Sequence, residues 1–409
     1  MCEKRGSANR LGHSRVSKYG GAIPLFARAS DAGIRQNVRM TTSFHAVIPA
    51  GGSGTRLWPV SRVARPKFLH DILGTGRTLL QATWERTEGL ADPAHTWVVT
   101  GEAHVDAVRE QLPDVRADRL VAEPAPKDSA AAIGLAAMLV HRTDPDAVIG
   151  SFSADHSITN TAEFLSVVRH AIAAAAQTGD IVTIGVTPTY PATAYGYIKT
   201  GELLSLADAP TARRAAEFVE KPNASTARLY AYSGGYRWNA GMFIMRASVL
   251  LDILSDQAPD LHAGLTRIAD AWGTARQREV VDEVWPGLEK KAIDYVVAEP
   301  AAAAGRVIVI PGDFGWDDVG DFDSVAKLRQ PVPGESAGVS AIGEGVQVVD
   351  VESRGVVISE TGRLVALVGV DDLVVVDTED ALLVTSRAHA QEVKAAVRDV
   401  ERTGRDDLL

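Results

Sequence analysis

Phosphate chemistry is most plainly suggested by Ala50-Gly51-Gly52-Ser53-Gly54-Thr55-Arg56-Leu57, which directly follows an apolar run. Closely spaced glycines let backbone N–H groups close around phosphate oxygens with no side chain in the way. Neither common phosphate loop fits the spacing. A dinucleotide fingerprint needs a glycine where Leu57 stands, and a Walker A loop needs a Gly-Lys-Ser/Thr ending. Arg56 lies within the loop, and Pro66-Lys67 brings a fixed-φ turn and a second cation to the same region. A Gly-rich strand-to-helix turn with solvated cations is the plain alternative, but cations flanking a glycine nest favour a triphosphate clamp, with Gly51, Gly52, Ser53, Gly54 and Thr55 as its cradle.

Acids stand at two further turns. Asp155 follows an apolar run in Ser153-Ala154-Asp155-His156, at the kind of strand end where open α/β sheets bind ligands. Gly315-Trp316-Asp317-Asp318-Val319-Gly320 holds two adjacent acids between glycines. Carboxylate oxygen suits a hard cation that shares its sphere with substrate phosphates, while turn or cap duty is the plain alternative for each acid. Glu220-Lys221-Pro222 ends another apolar-containing run, either as a plain strand stop before a capped helix or as a carboxylate and an ammonium able to meet hydroxyls and a phosphate. In Tyr195-Gly196-Tyr197-Ile198 and Trp238-Asn239-Ala240-Gly241, Gly196 allows a sugar ring to approach the backbone and Asn239 offers both donor and acceptor. The aromatics there serve equally well as core. Glu123, before Pro124, is either a solvated strand-end acid or an acceptor for the N–H groups of a ligand. His95, His104 and His156 show no partner spacing and are read as incidental.

These residues need a scaffold, and from Phe44 onward short apolar runs alternate with helical stretches. Strands are expected at 44–49, 97–100, 120–122, 147–152 and 181–186, with helices at 103–112, 130–141 and 161–176 between them. Such βαβ alternation implies an α/β fold with a mostly parallel, Rossmann-like sheet covered by helices on both faces. Asn160 and Glu163 mark a capped helix start. From 187 to 330 Gly- and aromatic-rich turns interrupt shorter strands, as in the walls of a ligand site. A break follows at Gln330-Pro331-Val332-Pro333-Gly334. Beyond it, short β-runs at 347–351, 355–359, 364–368, 373–376 and 381–385 suggest a small C-terminal β domain, a short left-handed β-helix being one form, closed by a helix at 388–401. The expected division is therefore 1–42, 43–330 and 338–409.

Composition narrows the partners. A net charge of −10 argues against nucleic acid and anionic membranes, so a small phosphorylated ligand held by a few placed cations is expected. The single cysteine, Cys2, excludes internal disulfides and thiolate zinc sites and fits a reducing cytoplasm. No run of about 18 apolar residues reads as a membrane span. Residues 1–42 are rich in Lys and Arg, lack any period and lack the apolar core of a secretory signal. They are expected to be a disordered extension, or to lie upstream of a true start at Met40.

The loop Gly51-Gly52-Ser53-Gly54-Thr55-Arg56-Leu57-Trp58-Pro59 with Pro66-Lys67 resembles the signature of the sugar nucleotidyltransferases, which join a sugar-1-phosphate to a nucleoside triphosphate. The resemblance implies that the loop holds the nucleotide phosphates, while Arg56 and Lys67 neutralise charge at the reacting phosphoryl group. It implies Asp155 and Asp318, rather than Asp317, as Mg2+ ligands, Glu220 on sugar hydroxyls and Lys221 on the sugar phosphate. Trp58-Pro59, Trp238-Asn239, Trp316-Asp317-Asp318-Val319-Gly320 and Leu373-Val374-Val375-Val376-Asp377-Thr378 look most like the mannose-1-phosphate guanylyltransferase branch over roughly residues 45 to 385. That implies GTP and mannose-1-phosphate as substrates, and a homodimer is one expected assembly. In the base-reading segment Lys127-Asp128-Ser129-Ala130-Ala131 replaces the usual Arg-Asn-Thr-Ala-Pro character, although Glu123-Pro124 is present. Long members of the branch carry an isomerase domain after the β-tail; none fits before this chain's end, so transferase activity alone is expected. Two alternatives remain open: another sugar-1-phosphate and nucleotide pair, such as glucose-1-phosphate with UTP or dTTP, or a non-catalytic nucleotide-sugar-binding regulatory subunit.

Overall fold

The computed structural model of the protein describes residues 43–52, 54–329 and 338–409; the extension 1–42, Ser53 and the expected break at 330–334 lie outside these described residues. In chain order the strands are β1 (Phe44–Ala50), β2 (Thr96–Gly101), β3 (Leu120–Glu123), β4 (Val148–Ser151), β5 (Ser157–Ile158), β6 (Ile181–Val186), β7 (Tyr197–Leu203), β8 (Arg213–Val219), β9 (Tyr236–Arg246), β10 (Val307–Pro311) and β11 (Trp316–Asp317). All but β5 and β11 form one nine-stranded sheet in the order β3-β2-β1-β4-β9-β6-β10-β8-β7. From β3 to β4 every pairing is parallel. β9 then runs antiparallel between β4 and β6, and β8 antiparallel between β10 and β7. The parallel half thus carries the Gly-rich loop, and the mixed half carries the turns at Gly196 and Glu220 and, within β9, Asn239.

Strands covered on both faces read as continuous apolar runs, because alternate side chains enter two different cores. On β10, Val307 and Val309 join the core beneath helix Ser129–Thr143, whereas Ile308 and Ile310 join the core beneath helix Thr161–Thr178. The latter helix starts as its sequence requires, with Asn160 Oδ1 accepting from Glu163 N at 3.1 Å.

The tail adds β12 (Val339–Ile342), β13 (Gln347–Val351), β14 (Gly355–Ser359), β15 (Leu364–Val368), β16 (Leu373–Asp377) and β17 (Leu382–Ser386). β12, β14 and β16 stack in parallel on one face and β13 and β15 on another, so each strand pairs with the next but one. That alternation is a β-helix. β17 closes the first stack antiparallel, and helix Val393–Arg402 follows.

Tail and loop share a core: Leu57, Trp58 and Val60 pack with Val356, Ile358, Val374, Val376 and Val393. Trp58 Nε1 donates to Leu408 O at 2.6 Å, and Arg62 forks onto the Asp380 carboxylate. The β-helix therefore buttresses the segment that leaves the Gly-rich loop. Trp58→Ala is expected to cost about 3–5 kcal/mol, as loss of a buried indole does, and to weaken nucleotide binding. Calorimetry of the variant checks this, and an unchanged melting temperature would deny the tail its supporting role. No helix among the described residues is long and apolar enough to cross a membrane.

Candidate active site

Three backbone turns bring the chemistry together at one end of the parallel strands. Gly52 and Gly54 take φ of 88° and 58°, and Gly54 leads into the 3-10 turn Thr55–Leu57. A Cβ on Gly54 would lie 2.8 Å from Ser61 Oγ and 3.1 Å from Lys67 Cβ, so only glycine lets the loop close onto Lys67. The second turn follows β4 and carries Asp155. The third, Gly315 to Gly320, is docked beside it by the ribbon of β5 and β11, in which Ser157 pairs with Asp317 and Ile158 with Trp316. Gly315 has φ 68°, and any Cβ there would collide with the Thr159 side chain.

Lys67 is the meeting point. Its ammonium lies 2.9 Å from Asp155 Oδ2, donates to Asp318 O at 2.7 Å and reaches Val319 O at 3.5 Å, while only 9% of the residue is exposed. Burial raises the Asp155 carboxyl, but Lys67 and His156 outweigh it and hold the group below its ordinary value. Asp318 Oδ1 accepts from Tyr195 OH at 2.7 Å. Asp317 instead shapes the turn, accepting from Val319 N at 2.7 Å. Val319 is held at φ 47°, a costly conformation for a β-branched residue, and Lys221 and Asp128 also take positive φ, at 46° and 68°. Such strain, of order 1–3 kcal/mol each, collects where surroundings over-determine a functional geometry.

Two cavities flank this centre. One, of about 350 Å³, is lined by Gly51, Gly52, Glu123, Asp128, Asp155 and Lys290, among others. Glu123 is buried there with Oε1 unpaired, and burial, reinforced by Asp128, pushes its carboxyl up to about 7. The other, of about 210 Å³, is lined by Gly196, Glu220, Asn239, Asp294, His156 and Asp318, among others. They share Pro49, Ser129 and Ser153 as common wall. Glu220 fits only because Gly196 has no side chain: a Cβ there would collide with Glu220 Oε2. Lys221 Nζ pairs with Glu220 Oε1 at 2.9 Å.

Of the residues singled out from sequence, Gly51, Gly52, Glu123 and Asp155 line the first cavity and Gly196, Glu220, Asn239 and Asp318 the second. Lys67 joins the Asp155 carboxylate to the backbone carbonyl of Asp318. Gly54, Thr55, Arg56 and Lys221 line neither cavity. Sequence reasoning missed Asp294, Lys290 and the hydroxyl of Tyr195, and it set His156 aside. His156 lines the second cavity, and its Nδ1 accepts from Trp316 Nε1 at 3.2 Å. Lys127, in the altered base-reading segment, points away and donates to Pro286 O and Leu288 O at 2.7 and 2.6 Å.

Among the described residues no group of three or more His, Cys, Asp or Glu is placed to hold a metal. Two carboxylates beside a cavity walled by glycine backbone nevertheless fit Mg2+, which takes one or two carboxylates and completes its octahedron with water and substrate phosphates.

Residues 45–333 match the nucleotidyl transferase family, and residues 346–400 match the MannoseP isomerase/GMP-like beta-helix domain. The chain belongs to the nucleotidyl transferase family. It is 37% identical to the mannose-1-phosphate guanylyltransferase of Salmonella typhimurium over 90% of this chain and 75% of that protein. The mannose-1-phosphate guanylyltransferase of Escherichia coli K12 is 36% identical over the same shares, 90% and 75%. Among solved structures, a mannose-1-phosphate geranyltransferase from Thermus thermophilus superposes with a TM-score of 0.76 at 32% identity, covering 88% of this chain and all of that one.

Proposed function

We propose that the protein transfers the guanylyl group of GTP to mannose-1-phosphate, giving GDP-mannose and diphosphate. The observation that carries this reading is the position of Lys67, bonded to both the Asp155 and Asp318 turns where a base-sized cavity meets a sugar-sized one. In this reading the Gly51-to-Thr55 backbone holds the nucleotide phosphates and Arg56 and Lys67 neutralise the leaving side. Lys221 meets the sugar phosphate, with Glu220, Gly196 and Asn239 around the ring. An oxygen of mannose-1-phosphate bonds to the α-phosphorus as the bond from that phosphorus to the bridging oxygen breaks, and diphosphate departs with the electron pair. Both reactants are anions, so alignment and charge neutralisation supply most of the rate. Mg2+, held by Asp155 and Asp318, would supply further neutralisation shared with the substrate phosphates.

Incubation with a matrix of nucleoside triphosphates and sugar-1-phosphates tests the reading through diphosphate release. Preference for UTP or dTTP with glucose-1-phosphate would overturn it, and binding of GDP-mannose without turnover under any divalent metal would favour a regulatory protein. A cytoplasmic location and a homodimer belong to the same reading. The exposed valines and leucine of the β13–β15 face, Val349, Val351, Leu364 and Val368, support self-association; sedimentation as a monomer would remove the dimer.

Glu123 supports guanine, because an unpaired buried carboxylate awaits two N–H donors that adenine lacks. Glu123→Gln is expected to raise the KM for GTP roughly 10- to 100-fold, the loss of a charge-assisted pair. Because the folded pKa is raised, protonation is favoured in the free protein, and its stabilising effect, complete below about 4.5, fades as pH rises through about 7. The wild-type KM for GTP should accordingly fall across that window as the carboxylate forms. Glu123→Gln should lack this component and so controls for titration of the nucleotide.

A further inference from the structure

Asp294 is a half-buried carboxylate of the sugar-sized cavity with no task in the reading above. It opens a single π-helical turn, Asp294–Ala298, a distortion that recurs at functional sites. The segment leading to it is pinned to the start of helix Ser129–Thr143: Ile293 N donates to Ser129 Oγ at 2.9 Å and Ala130 N to Lys291 O at 3.1 Å. Lys290 of the same segment lines the nucleotide cavity, so one short stretch borders both ligands.

The partner of Asp294 explains its orientation. Asn239 Nδ2 donates to Asp294 Oδ1 at 3.0 Å, while Asn239 Oδ1 accepts from Thr183 Oγ1 at 2.8 Å and Gly241 N at 3.2 Å. The threonine and the backbone fix the amide with its oxygen turned toward protein. Asn239 therefore has no free acceptor for a sugar and acts largely by fixing the carboxylate. Asp294 Oδ2 takes no side-chain partner among the described residues. Across the cavity stands Glu220, whose Oε2 rests against Gly196.

We propose that Asp294 is a specificity residue: with Glu220 it accepts hydrogen bonds from two hydroxyls of a pyranosyl phosphate, and Asn239 positions it. The proposal rests on the nucleotidyl-transfer reading for where the sugar binds, not for which sugar it is. A ring whose hydroxyls miss these oxygens would leave desolvated carboxylate unpaired, and a site built to pair with a hydroxyl rejects ligands that lack it far more strongly than an apolar pocket does.

Asp294→Asn separates reading the sugar from merely holding Asn239, since the amide oxygen can still accept from Asn239 while the second carboxylate oxygen becomes a donor. The variant is expected to raise the KM for the preferred sugar-1-phosphate roughly ten-fold or more, with the KM for GTP within about two-fold. In a series of deoxy sugar phosphates, the analogue lacking one particular hydroxyl should be poor for the wild type and lose that disadvantage in the variant. Unchanged sugar KM and unchanged deoxy ranking would overturn the proposal. So would equal losses for both substrates in a variant that melts like the wild type. If Asp294→Asn melts early, the same comparison is made at a temperature below its melting point. Should the wild type prefer another sugar-1-phosphate, the mannose reading fails while the same measurement on that sugar still decides Asp294.

Discussion

Lys67→Met is expected to lower kcat/KM for nucleotidyl transfer by roughly 10³-fold or more, the range seen when a cation or preorganised donor is withdrawn from phosphoryl or acyl transfer. Lys67 is singled out because it does two jobs at once. In the proposed reaction its ammonium would neutralise phosphate charge, and in the free protein it ties Asp155 Oδ2 to the backbone of Asp318 and Val319. Removing it should therefore also lower stability, by about 1–3 kcal/mol, because a partly buried carboxylate loses its charged partner. The sign with pH follows from the direction of the Asp155 shift. Its carboxyl is held below the ordinary value, so the stabilisation is present above about pH 4 and is lost as pH falls through the lowered folded value. The gap in melting temperature between wild type and variant should be widest near neutrality and close in acid. Lys67→Arg should rescue little, since a planar guanidinium does not reproduce a point charge wedged between two turns. Diphosphate release and a melting series over pH measure both effects, and near-normal turnover in Lys67→Met would remove Lys67 from the reaction.

Sequence carried the scaffold well where local pattern decides structure. The tail strands Gln347–Val351, Gly355–Ser359 and Leu364–Val368 lie where their turn-punctuated runs place them, and so does the helix start at Thr161. The Gly-rich loop and the strand-end acids were legible for the same reason: each advertises itself within a few residues. Contacts between distant segments were not. The core shared by Trp58 and the β-helix joins segments far apart in the chain, and no period in either segment announces it. Asp294 was hidden differently. Ile293-Asp294-Tyr295-Val296-Val297 reads as the polar entry of an apolar helix, and only the π-turn and the Asn239 amide show that the carboxylate faces a cavity. Tyr195 looked like core because one edge of its ring is core: it packs on Trp238 and Trp316 while its hydroxyl reaches Asp318.

Asp155→Asn and Asp318→Asn are each expected to lower kcat by roughly 10³-fold and to raise the Mg2+ concentration needed for half-maximal rate, whereas Asp317→Asn should remain within a few-fold of wild type. The contrast between neighbours carries the argument. An asparagine at 317 keeps the oxygen that accepts from Val319 N, so the strained turn survives. At 318 the carboxylate accepts from Tyr195 OH, and the backbone carbonyl of the same residue takes the Lys67 ammonium that pairs with Asp155. Amides there preserve shape and lose the anionic oxygen that a hard cation selects. If the two acids hold one ion as proposed, the double variant Asp155→Asn/Asp318→Asn should fall little further than either single one, because ligands of one ion act as a unit and their losses do not add. Additive losses, or an Asp317→Asn variant as damaged as Asp318→Asn, would show that the turn's geometry rather than its charge is what the reaction needs.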